Sequence, residues 1–147
     1  MTIDPRCRES FERQGLMTLL GAELVEAADG QAAIEVPYRE DLTQQHGYFH
    51  GGVVTAIADT ACGYAAHTTM PPDSSVLTVE FKINLMNPAA GERLRAEAKV
   101  RKAGRTLVVV GATVTVMRRD KAVPCGEMLG TFIVLRDTSD VEQRVRT

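Results

Sequence analysis

The spacing of apolar and polar positions changes along the chain, and each change marks an element. An Asp4–Pro5 start followed by RCRESFERQGLMTLLG predicts a helix over about 4–20, because proline is pre-shaped for the first helical position. Phe11, Leu16, Leu19 and Leu20 can line one face of it, and Gly15 is its weak point. AELVEAADGQAAIEVPYR then alternates on both sides of Asp29–Gly30, which reads as a hairpin around a tight turn. Residues 38–49 are a polar loop. Residues 50–68 are apolar, proline-free and rich in alanine (Ala56, Ala58, Ala61, Ala65, Ala66), which predicts a long helix stopped by Met70-Pro71-Pro72-Asp73. Four period-two stretches follow: SVLTVEFKINLMNP, GERLRAEAKVRKAG, RTLVVVGATVTVMRRD and AVPCGEMLGTFIVLR. Turn signals lie at 102–105 and 119–121, and the polar tail after about 137 is expected to fray.

These elements make an α+β fold in one domain, residues 1–147, with no internal repeat or linker. The long helix carries small apolar residues with little amphipathic bias. A curved antiparallel β-sheet wrapped around that helix, covering nearly all its faces, accounts for this.

Composition narrows the function. A chain of 147 residues can bury a core without metal or disulfide staples. A net charge of −2 favours neither nucleic acid nor an anionic membrane, although a local basic cluster can still meet a phosphate. Cys7, Cys62 and Cys125 are odd in number and widely spaced, which fits reduced thiols in a cytoplasmic protein. The polar N-terminus is no signal peptide, and the apolar run from Val53 to Ala66 is too short to span a bilayer. Three scattered histidines form no ligand cluster, so no metal is expected.

The chemistry concentrates in QQHGYFHGGVVTAIADTACGYAA, Gln44 to Ala66. Gly51 and Gly52 stand at the start of the long helix, where backbone N–H groups lack intrahelical partners and carry a partial positive charge. A glycine there serves either a tight turn into the helix or the close approach of a substrate carbonyl to those donors. Asp59 lies in the middle of the apolar run. A carboxylate there has poor helix propensity and a desolvation cost, so it needs a structural partner or a chemical role.

The same stretch, with LTVEFKINLMNPAAGERL and VRKAGRTLVVVGATV after it in order, resembles the hotdog-fold acyl-CoA thioesterases. The nearest subgroup is the phenylacetate-pathway (PaaI-type) enzymes, and the likeness covers about residues 20–135. The resemblance implies hydrolysis of an acyl-CoA, aryl or short to medium, with CoA as part of the substrate and no other cofactor. It gives the Gly51 N–H the oxyanion hole. It makes Asp59, the acid nine residues after His50, the nucleophile or general base. Partial desolvation would raise the Asp59 pKa, which suits a base. Gln44 would help to place thioester and water, with Gln45 one residue away as the alternative. Thr78 would hold Asp59 or the water. His50 would bond loop backbone and hold the Gly51 N–H in place, in preference to moving a proton. The resemblance also puts nucleotide phosphates near Lys102, Gly104, Arg105 and Thr106, and the pantetheine channel near Asn87 and Pro88. His46 is expected to shape the loop and His67 to favour the helix C-terminus.

Gly51 and Asp59 are eight residues apart. At ~1.5 Å of rise per residue they are separated by about 12 Å along the helix, too far to serve one thioester carbon. Two such helices packed antiparallel across a two-fold would bring Gly51 of one chain opposite Asp59 of the other, in a homodimer or a dimer of dimers. Two other functions are weighed. Enoyl-thioester hydratases or dehydratases on the same fold use an Asp/His pair, for which Asp41 and His46 are a superficial match without the usual asparagine–proline. The second is a non-catalytic acyl-CoA-binding module.

Overall fold

A computed structural model of the chain describes residues 1–138. The expected tail after residue 137 therefore lies almost wholly outside the described residues. The elements are α1 (Pro5–Glu12), α2 (Gly15–Leu20), β1 (Glu23–Ala28), β2 (Gln31–Pro37), a short 3-10 turn (Glu40–Leu42), α3 (Gly51–His67), β3 (Ser74–Leu85), β4 (Arg93–Ala103), β5 (Leu107–Arg118) and β6 (Lys121–Arg136). The strands form one antiparallel six-stranded sheet in the order β1-β2-β4-β5-β6-β3. Alternate residues of β5, Val108, Val110, Ala112, Val114 and Val116, are buried beneath α3. This is the hotdog arrangement, a curved sheet around a long helix. No described helix is long and apolar enough to cross a membrane.

Local chemistry explains most of these boundaries. The Asp4 carboxylate accepts from the Arg6 N–H at 2.9 Å and caps α1, with Pro5 at the first helical position. Asp29 and Gly30 both have positive φ, which a two-residue hairpin turn of matching twist requires. The single helix expected over 4–20 is instead two. Arg13 and Gln14 close α1 through N–H donation to Ser10 O and Phe11 O, and Gln14 turns extended before Gly15 begins α2. Glycine costs a helix interior about 1 kcal/mol, and the chain breaks just ahead of it. The break also divides the expected apolar face: Leu20 is buried, whereas Leu16 and Leu19 are exposed.

Helix α3 is less enclosed than expected. Val53, Val54, Ile57, Ala58, Ala61, Cys62, Ala65 and Ala66 are buried, but Thr55, Ala56, Asp59, Thr60 and Gly63 are only half-buried. Those residues recur every three to four positions, so they form one stripe along the helix. The sheet curves round one side, α1 covers the Tyr64 side, and the stripe lies between them.

The two sheet edges differ. The β1 edge is partly covered by the N-terminal segment, through an Ile3–Ala27 bridge and Asp4 N–H donation to Ala27 O at 2.7 Å. Among the described residues strand β3 pairs with β6 alone, and its Leu77, Val79, Phe81 and Leu85 are between 40% and 57% exposed. A bulge between Thr78 and Glu80 bends it beside Asp59.

Candidate active site

Helix α3 opens at His50, whose Nδ1 accepts the Gly52 N–H at 2.8 Å. The Val53 and Val54 N–H groups donate to His50 O. Among the described residues nothing accepts from the Gly51 N–H, so the helix start presents one free donor. A side chain at either position would make a neighbour shift. A Cβ on Gly52 would sit 2.9 Å from His50 Nδ1, and one on Gly51 would meet the tip of Leu85 at 2.7 Å. Gly51 lines a cavity of about 410 Å³ with Gln44, Leu85, Asn87 and Pro88.

Asp59 belongs to a different cavity, of about 170 Å³, which it lines with Thr60, Gly63, Thr78 and Phe132. The Thr78 hydroxyl donates to Asp59 Oδ1 at 2.9 Å. Burial lifts the Asp59 carboxyl above the usual aspartate range, and the Thr78 hydrogen bond pulls it partway back. The carboxylate is thus oriented, partly dehydrated and open to a cavity, as a base or a nucleophile requires. The two cysteines near these cavities do not compete for that role. Burial pushes the Cys62 thiol up to about 12, with the Asp59 charge adding to the effect, and the Cys125 thiol up to about 11. Neither supplies a thiolate at neutral pH.

Residues 46–122, which contain both the helix start and Asp59, match the family model of the thioesterase superfamily. The chain belongs to the thioesterase superfamily. A solved thioesterase family protein from Silicibacter pomeroyi is 44% identical, with 89% of this chain and 96% of that chain covered and a TM-score of 0.87. The acyl-coenzyme A thioesterase PaaI of Escherichia coli is 28% identical over 65% of this chain and 66% of its own. Its solved structure shares the fold, with a TM-score of 0.80 at 20% identity, 93% of this chain and 99% of that chain being covered. The 1,4-dihydroxy-2-naphthoyl-CoA hydrolase of Listeria monocytogenes is 33% identical over 48% of this chain and 57% of its own. The protein is a hotdog-fold thioesterase, and its chemistry is thioester hydrolysis.

Within one thioesterase chain, the structure brings Gln44, Gly51, Asn87 and Pro88 to one cavity and Asp59 and Thr78 to another. Gln44 rather than Gln45 lines the Gly51 cavity, and its Oε1 accepts the His46 N–H. Asn87 donates to Pro124 O at 2.7 Å. His50 lines a third cavity, beside Leu16 and Leu19. Lys102 is the last residue but one of β4, and Gly104, Arg105 and Thr106 form the exposed turn into β5. The register Val108↔Phe132↔Thr78 puts that turn at the Thr78 end of the sheet. His46 lies against the Tyr48 ring, and His67 is buried with Nε2 3.2 Å from Ser74 O. Among the described residues no three His, Cys, Asp or Glu side chains gather as metal ligands.

The pair needed for enoyl-thioester hydration is not assembled. Both Asp41 carboxylate oxygens accept from Arg39, at 3.0 and 3.1 Å, and Asp41 lines the third cavity, which His46 does not. One part of the Asp59 cavity had no sequence signal. Ser10 and Gln14, from the first helical segment, line the Asp59 cavity and share hydrogen bonds with Tyr64.

Proposed function

We propose that this thioesterase hydrolyses acyl-CoA to free acid and CoA, in a site formed by Asp59 of one chain and the Gly51 N–H of a second copy. The observation that carries the reading is the separation on α3 of an oriented, partly dehydrated carboxylate and an unpaired N–H donor. The two sit in different cavities, about 12 Å apart by helical rise. Each is half of an acyl-transfer site.

In the water route, Asp59 takes a proton from a water that attacks the thioester carbon, and Thr78 fixes the carboxylate for that step. In the covalent route, an Asp59 oxygen attacks the carbon itself, and water then hydrolyses the resulting anhydride. In both, the carbonyl oxygen becomes negative and accepts from Gly51 of the other copy. The C–S bond breaks, the electron pair leaves on the CoA sulfur, and a proton then forms the thiol. Here His50 is a positioning residue. Its Nδ1 is already engaged with the Gly52 N–H, which holds the first turn, and so the Gly51 donor, in place.

Two features favour a second copy. The half-buried stripe of small residues on α3 permits close approach of another helix, and Asp59 lies on it. Among the described residues strand β3 leaves a long apolar edge unpaired, a liability that natural sheets cover. A homodimer or a dimer of dimers built there covers both. The cations Lys102 and Arg105, with Gly104 and Thr106, supply donors for the CoA phosphates, and Asn87 and Pro88 wall the pantetheine path beside Gly51.

A thiol-release screen across short, medium, long and aromatic acyl-CoAs tests the reaction. Turnover of at least one group is expected, with Asp59→Asn lowering kcat by about 10²–10⁴-fold. Release unaffected by that substitution contradicts the assignment.

A further inference from the structure

The loop that carries Gln44 is stitched mainly to itself. The Gln44 N–H donates to Tyr48 O and the Gly47 N–H to Gln44 O, each at 2.9 Å, with Gly47 at a φ of +79°. Among the described residues, one hydrogen bond reaches residues 44–48 from outside them: the Tyr38 hydroxyl donates to Gly47 O at 3.3 Å. Tyr38 has firm support of its own. It follows β2 directly, its N–H donates to Glu92 O at 2.8 Å, and its ring meets the buried Phe49 ring edge-on with centroids 5.5 Å apart. The turn is thus tied to a ring that the end of the sheet holds.

The same turn fixes which way the Gln44 amide faces. A backbone N–H only donates, so the Gln44 atom that meets the His46 N–H is Oε1, and Nε2 is on the other side of the amide. Gln44 also lines the cavity of Gly51. With Oε1 engaged, its side chain offers N–H donors there. Donors suit a carbonyl oxygen that gains negative charge, next to the Gly51 N–H. The contact that sets this orientation spans only two residues on an exposed turn, where water competes for both partners. It depends on the turn keeping its shape.

We infer that Tyr38 is a positioning residue for the hydrolysis: by holding Gly47 O it keeps the 44–47 turn closed, and so keeps the Gln44 amide N–H groups aimed at the thioester carbonyl beside Gly51. The inference rests on the proposed placement of that carbonyl at Gly51. Tyr38 itself touches no reacting atom. Its bond is exposed and long for a hydroxyl donor, so losing it loosens the turn without unfolding the loop. A misplacement of about 1 Å costs about 10²-fold in rate, and a loosened turn costs less, about threefold to tenfold in kcat. KM should change by less than about twofold, because the contact counts only when charge develops on the oxygen.

Tyr38→Phe keeps the ring on Phe49 and removes only the hydroxyl. It is assayed on the acyl-CoA that the thiol-release screen shows to turn over fastest, with the kcat loss and steady KM just given as the expected result. Gln44→Ala alone should lose more, about 10²-fold. Adding Tyr38→Phe to Gln44→Ala should cost nothing further, because the group through which Tyr38 acts is gone. A hydroxyl that only braces the loop would lower kcat equally in both backgrounds. That result, or a Tyr38→Phe kcat equal to wild type, overturns the inference. Nuclear magnetic resonance gives a readout that needs no turnover. The Gln44 side-chain amide signal, assigned by its absence from Gln44→Ala, should have a lower order parameter in Tyr38→Phe than in wild type, and an unchanged value overturns the inference. If wild type turns over no acyl-CoA, the catalytic reading fails, and an order parameter that still falls upholds the hold of Tyr38 on Gln44.

Discussion

Asp59 carries a conflict that its neighbours tune. Burial favours the neutral acid, while the Thr78 hydroxyl, 2.9 Å from Oδ1, favours the anion. On the proposed role of Asp59 the reaction needs the anion, so kcat/KM should rise with pH through an apparent pKa above the ordinary value of 3.8. Thr78→Val removes the influence that lowers the pKa and leaves the burial, so its acid limb should move to higher pH. A pH–rate profile of the two proteins reads this directly, and a limb that stays put removes Thr78 from the base's environment. Gly51 allows an equally specific substitution. Proline is tolerated at the first helical position and lacks the N–H, while alanine keeps the N–H and brings the same Cβ against Leu85. Gly51→Pro is therefore expected to lose about 10²–10³-fold in kcat, as for loss of one oxyanion-hole donor. Gly51→Ala should lose far less. Equal losses would make Gly51 a matter of space alone.

At the scale of elements, the parts legible in the sequence were those with local chemistry. Asp29–Gly30 announced its hairpin because only a turn with two positive φ values suits that pair between alternating flanks. Helix α3 was legible from alanine content and the Pro71–Pro72 stop, and the motif glycines lie at its first turn. The split of α1 from α2 was half legible, since Gly15 marked a weakness but not which side of it the chain would turn. The open stripe on α3 was not legible, because alanine, threonine and glycine look alike whether a sheet covers them or not. Nor was the Ser10–Tyr64–Gln14 triad, whose members are 50 and 54 residues apart in sequence and meet only when α1 docks on α3. Gly63 on that stripe gives the element-scale prediction. An added Cβ there would lie 3.9 Å from Phe132, an ordinary contact, so Gly63→Ala is expected to stabilise α3 by about 0.5–1 kcal/mol. The same methyl enters the Asp59 cavity. Thermal melts should show a higher Tm, and kcat/KM should fall for ring-sized acyl groups more than for acetyl. A lower Tm, or equal losses for both substrates, would show that the position is not open to the cavity.

At the scale of the molecule, the proposed function gives one chain two unlike half-sites, and among the described residues one long sheet edge lacks a neighbour. Distance arithmetic on the sequence already required a second copy if Gly51 and Asp59 both act. The structure adds that they open into separate cavities, and that the half-buried stripe carrying Asp59 has small neighbours on either side. Mixing two defective proteins tests this most directly. Asp59→Asn and Gly51→Pro are each purified, combined in equal amounts, unfolded and refolded together, and assayed beside each protein refolded alone. If every site takes Asp59 from one chain and Gly51 from another, random pairing leaves about one site in four intact, so the mixture should recover about a quarter of wild-type activity. If each chain houses its own complete site, every site in the mixture carries one lesion. Activity no higher than the mean of the two single variants would contradict the shared site.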